Sequence, residues 1–290
     1  MAKKRREYRG GTLFLISFLS ALVLFGSIMT VVLIDQWQPA APATPTTPTT
    51  TRRPSAAREA RRLLLITEEN GEAQGFVALS IEPATERVRV VPIPRETVVT
   101  VGTEQLRLFE WYRTADLTAL TAATGELIGW DLPHYAVLSY HNLAALVTHL
   151  NNGVVYTLTE SITYTNSAGA TVTMAPGART LSAAQVTDLL RYDAWHGGRR
   201  ARANAQGDII AALFNQYFTS SHLEEDTDFQ KFVSLSRSNL LTSDFATAQE
   251  DLLLLARRNT FDISKVKEPK GEFIGVGDAM RFEMAENPLS

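Results

Sequence analysis

The sequence predicts an α/β fold: a single, three-layer-like domain with a central mixed β-sheet flanked by helices, preceded by one transmembrane helix. Three observations predict it. Hydrophobic residues make up 45% of the 290 residues and charged residues 20%, which is an ordinary globular composition. Strand-type and helix-type segments alternate after residue 62. A long uncharged run precedes them. The chain has no cysteine, which excludes disulfides, zinc–thiolate sites and thiol nucleophiles.

The N-terminal region predicts a membrane anchor. Residues 12–34 read TLFLISFLSALVLFGSIMTVVLI, without a charge. About 20 apolar residues cross a bilayer as a helix. Five basic residues in segment 1–11 favour a cytoplasmic tail. A cleaved signal peptide is the alternative, but the apolar run exceeds the usual core of about 7–15 residues. We therefore predict a single-pass protein of the cell membrane, with a cytoplasmic N-terminus and an extracytoplasmic domain.

The segment after the anchor predicts a tether. Residues 35–62 contain PAAPATPTTPTTTRRPSAAREARR, which is rich in proline and threonine and has little that could form a core. Such composition is typical of an extended spacer. The folded domain is therefore predicted over residues 63–290.

The elements of this domain follow from hydrophobic periodicity. Short apolar or alternating runs predict strands at residues 63–67, 75–83, 86–94 and 134–140. Helices are predicted at 114–127, ending near Gly125, at 141–153, and at 181–192 with Ser182 as N-cap. Residues 154–174 predict two β segments joined by a Ser-Ala-Gly turn, and two further helices are predicted at 208–218 and 247–259.

An arginine cluster is the first candidate site. Arg191, Arg199, Arg200 and Arg202 lie within twelve positions of a chain whose net charge is −3. Arginine is permanently charged and grips phosphate with a bidentate fork, and a helix start after Gly197–Gly198 would add backbone donors. A solvated basic face is the alternative reading. Nucleic acid is not expected as a partner, because the cluster is short and the rest of the chain is not basic.

Two further candidates precede this cluster. Arg95 follows a proline in IPRET at the end of a predicted strand, where loops often carry function. Glu68, Glu69 and Glu72 lie in the turn TEENGEAQG and could ligate a hard cation such as magnesium. A merely polar turn is the alternative. The five histidines lack metal-binding spacing, and no G-x-S-x-G nucleophile motif occurs.

In order and spacing, three segments resemble the LytR-CpsA-Psr family of bacterial cell-envelope proteins, as do the anchor and tether. The first is LLLITEENGEAQGFVALSIEPATERVRVVPIPRETVV, similar to a family segment that ends in Ile-Pro-Arg-Asp-Thr. The second is SAGATVTMAPGARTLSAAQVTDLLRY, similar to one that ends in Tyr-Val-Arg. The third, SDFATAQEDLLLLARRNTFDISKV, looks like the closing helix. The resemblance covers about Leu63 to Phe282.

The resemblance implies a function. Family enzymes bind a polyprenyl pyrophosphate-linked glycan in a long apolar pocket and transfer the glycan phosphate to peptidoglycan or another envelope acceptor, with Mg²⁺ assisting. By position, Glu68 and Arg95 would be catalytic, with Glu68 as the metal ligand. The pyrophosphate would be held by Arg95, Arg191, Arg199 and Arg202, although the alignment leaves open which arginine of 199–202 faces the site.

The sequence also departs from the family pattern. Gln74 falls where the family has its second aspartate, and Asp193 falls where it has an arginine. A carboxylate in place of a guanidinium would repel the pyrophosphate. Two functions therefore remain open: a glycopolymer phosphotransferase, or a non-catalytic relative that acts as a tethered lipid-binding or scaffolding domain in envelope assembly.

Overall fold

A computed structural model describes residues 59–149, 153–166, 168–217, 227–258 and 264–289. The chain divides into two units, residues 1–53 and 54–290. The predicted tail, the anchor at 12–34 and the tether as far as residue 58 lie outside the described residues. Within the described ranges, no helix has the length and apolar character that crossing a bilayer requires.

Fourteen strands occur in the described ranges. In chain order they are β1 Arg61–Glu69, β2 Glu72–Glu82, β3 Arg87–Ile93, β4 Val98–Val101, β5 Glu104–Arg107, β6 His134–Ser139, β7 Val154–Leu158, β8 Ile162–Thr165, β9 Thr171–Met174, β10 Gly177–Leu181, β11 Arg237–Ser238, β12 Ser264–Val266, β13 Gly271–Ile274 and β14 Arg281–Met284.

Six of these strands form the central sheet, in the order β11-β6-β1-β2-β3-β12. β1 pairs parallel with β6, β3 pairs parallel with β12, and the other neighbours are antiparallel. The predicted mixed sheet is thereby confirmed. Four hairpin-like pairs lie outside it: β4–β5, β7–β10, β8–β9 and β13–β14.

Seven helices occur in the described ranges: α1 Leu108–Thr114, α2 Leu117–Ile128, α3 Tyr140–His149, α4 Ala183–Arg191, α5 Gly198–Tyr217, α6 Thr227–Leu235 and α7 Thr242–Arg258. Successive strand residues point to opposite faces, so Leu64 and Ile66 of β1 pack in the core with α1 and α2. Leu65 packs in the other core, with residues of α3, α4, α5 and α7. The sheet is therefore flanked by helices, as predicted.

Helix ends follow from particular residues. Ser182 accepts a hydrogen bond from the backbone N–H of Gln185 in a capping box, which confirms the predicted N-cap of α4. The helix predicted to end near Gly125 instead runs to Ile128 and ends at Gly129, which has a φ of 71°. Gly125 serves packing, because a Cβ there would come within 2.5 Å of the Trp130 carbonyl.

Other elements differ from the prediction. α1 and the β4–β5 hairpin were not predicted, because their segments are too short for a clear period. α5 begins at Gly198 rather than at residue 208, since arginine and alanine favour helix without an apolar stripe. Residues 154–174 form three strands, not two. The predicted helix ends at Asn152, Phe218 and Asn259, and Ser167 of the predicted turn, lie outside the described residues.

Candidate anion-binding site

The sequence-predicted site residues meet at one edge of the sheet. β1 and β3 both run antiparallel to β2, so both end at the edge where β2 begins. This edge carries Glu68 at the end of β1, Gln74 at the start of β2 and Arg95 just after β3. The end of α4 and the first turns of α5 bring Arg191, Arg199 and Arg202 to the same place.

Gln74 links two of these arginines. Its side-chain oxygen accepts a hydrogen bond from Arg95 Nη1 at 2.9 Å and another from Arg202 Nη2 at 3.1 Å. Arg95 also lies over the Phe109 ring, 4.7 Å from its centroid. Two cations thus converge on one neutral acceptor, which leaves their charge available for an anion.

Glu96 supplies the buried counter-charge. The residue is 4% exposed. Its carboxylate accepts a hydrogen bond from Arg199 Nη1 at 2.7 Å and lies 3.7 Å from Arg95 Nε. Arg199 also donates to the Gly277 carbonyl at 3.0 Å. Burial, and next the positive charge of Arg202, lower the pKa of Arg95 from its ordinary value. The site therefore holds more positive charge than Glu96 offsets.

Arg191 joins this site from the α4 side. Its Nε donates to Glu69 at 2.7 Å, its Nη1 donates to Asp188 at 3.4 Å, and it lies over the Tyr140 ring at 5.1 Å. Burial raises the pKa of the Asp188 carboxyl, and Arg191 opposes that shift. Arg191 is held by carboxylates rather than by Gln74, so it lies at the periphery of the network.

The helical spacing of α5 separates its arginines. Arg199 and Arg202 are three residues apart and therefore share a face. Arg200 points elsewhere: it donates to the Gly271 carbonyl at 2.6 Å and lies over the Phe282 ring at 5.1 Å. The geometry thus brings both Arg199 and Arg202 to the network and leaves Arg200 in a packing role.

Two guanidinium donors in this network lack an acceptor. The Nε atoms of Arg95 and Arg202 are buried and make no hydrogen bond among the described residues. Buried polar groups without a partner are rare and costly, and a guanidinium can only donate. Both side chains are only partly buried, so an anion could still reach the exposed part of each guanidinium group. The arrangement is therefore suited to bind a multiply charged anion.

The acidic candidates are held apart from one another. Glu68 accepts a hydrogen bond from the Tyr112 hydroxyl and lies 3.9 Å from Arg237, on the α1 face of the sheet. Glu69 pairs with Arg191 on the other face, and the exposed Glu72 pairs with Arg113. No group of three metal-binding side chains occurs among the described residues. The metal role of Glu68 stays a prediction.

Sequence reasoning missed two residues of the network. One is Glu96, whose position directly after Arg95 in Pro-Arg-Glu-Thr was a usable signal. The other is Gln206, 5% exposed, which donates to the backbone carbonyls of Gln74 at 3.2 Å and Leu190 at 3.4 Å. Gly75 makes room for it, because a Cβ at Gly75 would come within 2.4 Å of the Gln206 side-chain oxygen. No local sequence pattern predicts the contact between Gln206 and the backbone of Gln74.

A separate apolar cavity lies at the opposite edge of the sheet. It has a volume of about 200 Å³ and lies near the start of β1, about 16 Å along the strand from Glu68. Between it and the arginines, the buried side chains of Leu65, Val77 and Leu138 cover the sheet. A lipid tail that ran from the arginines to this cavity would have to displace these three side chains. The apolar residues that line the cavity are Leu63, Leu79, Ile81, Pro133, Phe214 and Leu240.

The Tyr112–Glu68 contact predicts a pH effect. Burial, and next the hydrogen bond to Glu68, raise the pKa of Tyr112 from 10.0 to about 12. Because the folded protein holds the Tyr112 proton more tightly than the unfolded chain does, the contribution of Tyr112 to the free energy of unfolding is full below pH 10. That contribution is lost as the pH rises towards 12. We expect the wild type to exceed Tyr112→Phe in unfolding free energy at pH 9, by a margin that shrinks up to pH 12. Urea unfolding at several pH values measures the margin, and a constant margin would contradict the assignment.

Comparisons with known proteins support the family resemblance and the fold. The sequence profile of the LytR_cpsA_psr family matches residues 59–273. No curated protein matches the chain.

Several solved structures share the fold. Bacillus subtilis TagV has a TM-score of 0.67 at 12% identity, over 80% of this chain and 93% of TagV. A putative transcription regulator from Eubacterium siraeum has 0.69 at 13% identity, over 87% of this chain and 96% of its own. The structure of TagT bound to LI-WTA has 0.60 at 13% identity, over 80% and 87%. Identities this low show the fold alone.

Proposed function

Because the chain belongs to the LytR_cpsA_psr family, we propose that it is a membrane-anchored cell-wall glycopolymer phosphotransferase. It binds a polyprenyl pyrophosphate-linked glycan and attaches the glycan to peptidoglycan or another envelope acceptor. The supporting observation is the pair Arg95 and Arg202, two partly buried guanidinium groups that converge on one neutral oxygen. The structural relative TagT, solved bound to LI-WTA, supports a glycopolymer ligand of this kind.

In this proposal the arginines act by electrostatic stabilisation. The acceptor hydroxyl oxygen forms a bond to the phosphorus that carries the glycan, the P–O–P bridge breaks, and polyprenyl phosphate leaves with the bridging oxygen. The hydroxyl proton passes to water. Negative charge grows on the departing phosphate, and Arg95 and Arg202, which Gln74 holds together, would stabilise it. No step is assigned to magnesium.

We place the domain outside the cell membrane. Residues 12–34 would anchor it, residues 1–11 would remain in the cytoplasm, and residues 35–62 would be the tether. A lipid-linked substrate lies in the same membrane as this anchor, which keeps the domain near its substrate.

A second function is favoured by one specific observation. Gln74, not a carboxylate, stands between Arg95 and Arg202, and Glu68 is tied to Tyr112 and Arg237. Such a site can still bind an anion through its arginines. Neither Gln74 nor Glu68 supplies a free carboxylate beside that anion. A non-catalytic relative that holds the lipid or acts as a scaffold in envelope assembly is therefore the alternative.

One experiment separates the two functions. The full chain in detergent is mixed with a polyprenyl pyrophosphate-linked glycan and purified peptidoglycan, with and without magnesium, and both binding and transfer are followed. Transfer supports the phosphotransferase. Binding without transfer supports the non-catalytic relative, and lack of binding overturns both.

The role of Gln74 gives a metal-dependent prediction. In Gln74→Asp, a carboxylate competes with the ligand for Arg95 and Arg202, and we expect inorganic pyrophosphate to bind about tenfold more weakly, equivalent to about 1.4 kcal/mol. Magnesium should restore affinity in this variant and change wild-type affinity by less than about twofold. Calorimetric titration of the full chain measures both. Gln74→Ala is the neutral control, and magnesium-dependent binding by the wild type would contradict the prediction.

A further inference from the structure

A second pocket lies beside the arginine network. It has a volume of about 360 Å³ and lies between the β4–β5 hairpin, α1 and β14. That volume is at the lower end of the range of small-molecule sites, about 300–1,000 Å³. The lining residues are Val98, Gln105, Leu106, Arg107, Glu110, Ala279, Arg281 and Glu283.

Two contacts connect the walls of this pocket to the arginine network. The guanidinium groups of Arg95 and Arg107 both lie over the Phe109 ring, at 4.7 and 4.5 Å from its centroid. The backbone N–H of Phe282, which lies between two lining residues of β14, donates to the carbonyl of Glu96 at 2.9 Å. The pocket is therefore one aromatic ring away from the predicted pyrophosphate site.

The charges of the pocket are balanced, unlike those of the arginine network. Arg107 pairs with Glu110, and Arg281 Nε donates to Glu283 at 2.8 Å. Two guanidinium groups therefore face two carboxylates. A charge-balanced lining gives no net attraction to a phosphate, but it offers charge-assisted donors and acceptors side by side. Hydroxyl and acetamido groups of a sugar can use both kinds, and Val98 and Leu106 add apolar surface.

We propose that this pocket binds the acceptor: a neutral sugar unit of an envelope glycan, held beside the pyrophosphate with a hydroxyl turned towards it. The inference rests on the proposed function, because only a transfer reaction needs two adjacent subsites of this kind. The cationic network takes the phosphates, and the balanced pocket takes the glycan. Arg281 and Glu283 are binding residues in this account, not catalytic ones.

The test uses an N-acetylglucosamine tetrasaccharide as the probe, titrated into the full chain in detergent. The variants are Arg281→Ala and Glu283→Ala, whose side chains are 54% and 47% exposed, so the fold tolerates them. Arg87→Ala, exposed at the opposite edge of the sheet, is the matched control. We expect each pocket variant to weaken tetrasaccharide binding at least about fivefold and to leave inorganic pyrophosphate binding unchanged. Arg87→Ala should change neither.

The outcomes separate this inference from the proposed function. If wild type binds pyrophosphate but not the tetrasaccharide, or if both pocket variants bind the tetrasaccharide as wild type does, the acceptor pocket is wrong. If the pocket variants weaken pyrophosphate binding instead, the pocket is part of the anion site and the inference also fails. If wild type binds no pyrophosphate while the tetrasaccharide behaves as expected, the glycan site stands and the proposed transfer function fails.

Discussion

Arg95→Ala is expected to weaken binding of inorganic pyrophosphate by about 10- to 150-fold. A hydrogen bond to a charged group contributes about 1.5–3 kcal/mol, and about 1.4 kcal/mol corresponds to a factor of ten. Arg95 is partly buried and is held by Gln74 and Phe109. The Arg95 side chain is therefore already oriented. Its removal should lower the affinity for pyrophosphate more than removal of a mobile surface charge would. Calorimetric titration of the full chain in detergent measures the loss.

The matched control for this variant lies in the same cluster. Arg200→Ala removes the same charge from α5, but Arg200 bonds to the Gly271 carbonyl and packs over Phe282. We expect this variant to lower the Tm and to leave the Kd for pyrophosphate within about threefold, since long-range charge effects are screened in salt. Equal losses for Arg95→Ala and Arg200→Ala would show that net charge, not this geometry, attracts the anion.

Glu96→Ala is expected to destabilise the fold by about 1–3 kcal/mol. Removal of the buried carboxylate leaves two partly buried guanidinium groups without their counter-charge. Glu96 is 4% exposed and neutralises both Arg199 and Arg95. Without it, Arg95, Arg199 and Arg202 repel one another with no buried counter-charge. Urea unfolding of the full chain in detergent measures the change.

Two further variants make the Glu96 prediction specific. Glu283→Ala removes a carboxylate from the exposed pair with Arg281, and exposed pairs contribute about 0–1 kcal/mol, so its cost should be small. Added pyrophosphate should restore part of the stability of Glu96→Ala, because the anion replaces the missing charge. A loss for Glu96→Ala no larger than that for Glu283→Ala would contradict the role of Glu96 as the buried counter-ion.

The sheet was predictable from the sequence because its strands carry strong local patterns. LLLIT and GFVALSIEP are apolar on both faces, as expected for strands covered on both sides, and the structure buries Leu64 and Leu65 on opposite faces. The two short strands at the edges of the sheet could not be predicted from the sequence. β11 and β12 have two and three residues, and only long-range contacts with β6 and β3 define them as strands.

The site was predictable in part for a similar reason. Arg95, Arg199 and Arg202 were singled out by residue chemistry and by the family resemblance, and the fold brings them together. The family pattern marks Gln74 only as a missing aspartate, and the structure shows it as the shared acceptor of two arginines. That role could not be derived from the sequence, because it depends on the packing of α5 against the start of β2.

The positions of Glu68 and Glu69 also could not be predicted from the sequence. The sequence places both in one acidic turn, yet they end a strand and therefore point to opposite faces. Tyr112, which holds Glu68, belongs to α1, a helix whose short segment gave no helical period. The two carboxylates that are neighbours in the sequence therefore lie on different faces of the sheet.

We propose that the arginine network around Gln74 binds a pyrophosphate. A crystal structure of the protein soaked with a short polyprenyl pyrophosphate tests this directly. We expect phosphate oxygens within about 3 Å of the guanidinium groups of both Arg95 and Arg202. A pyrophosphate bound elsewhere on the domain, with these two arginines still sharing only the Gln74 oxygen, would overturn the proposal.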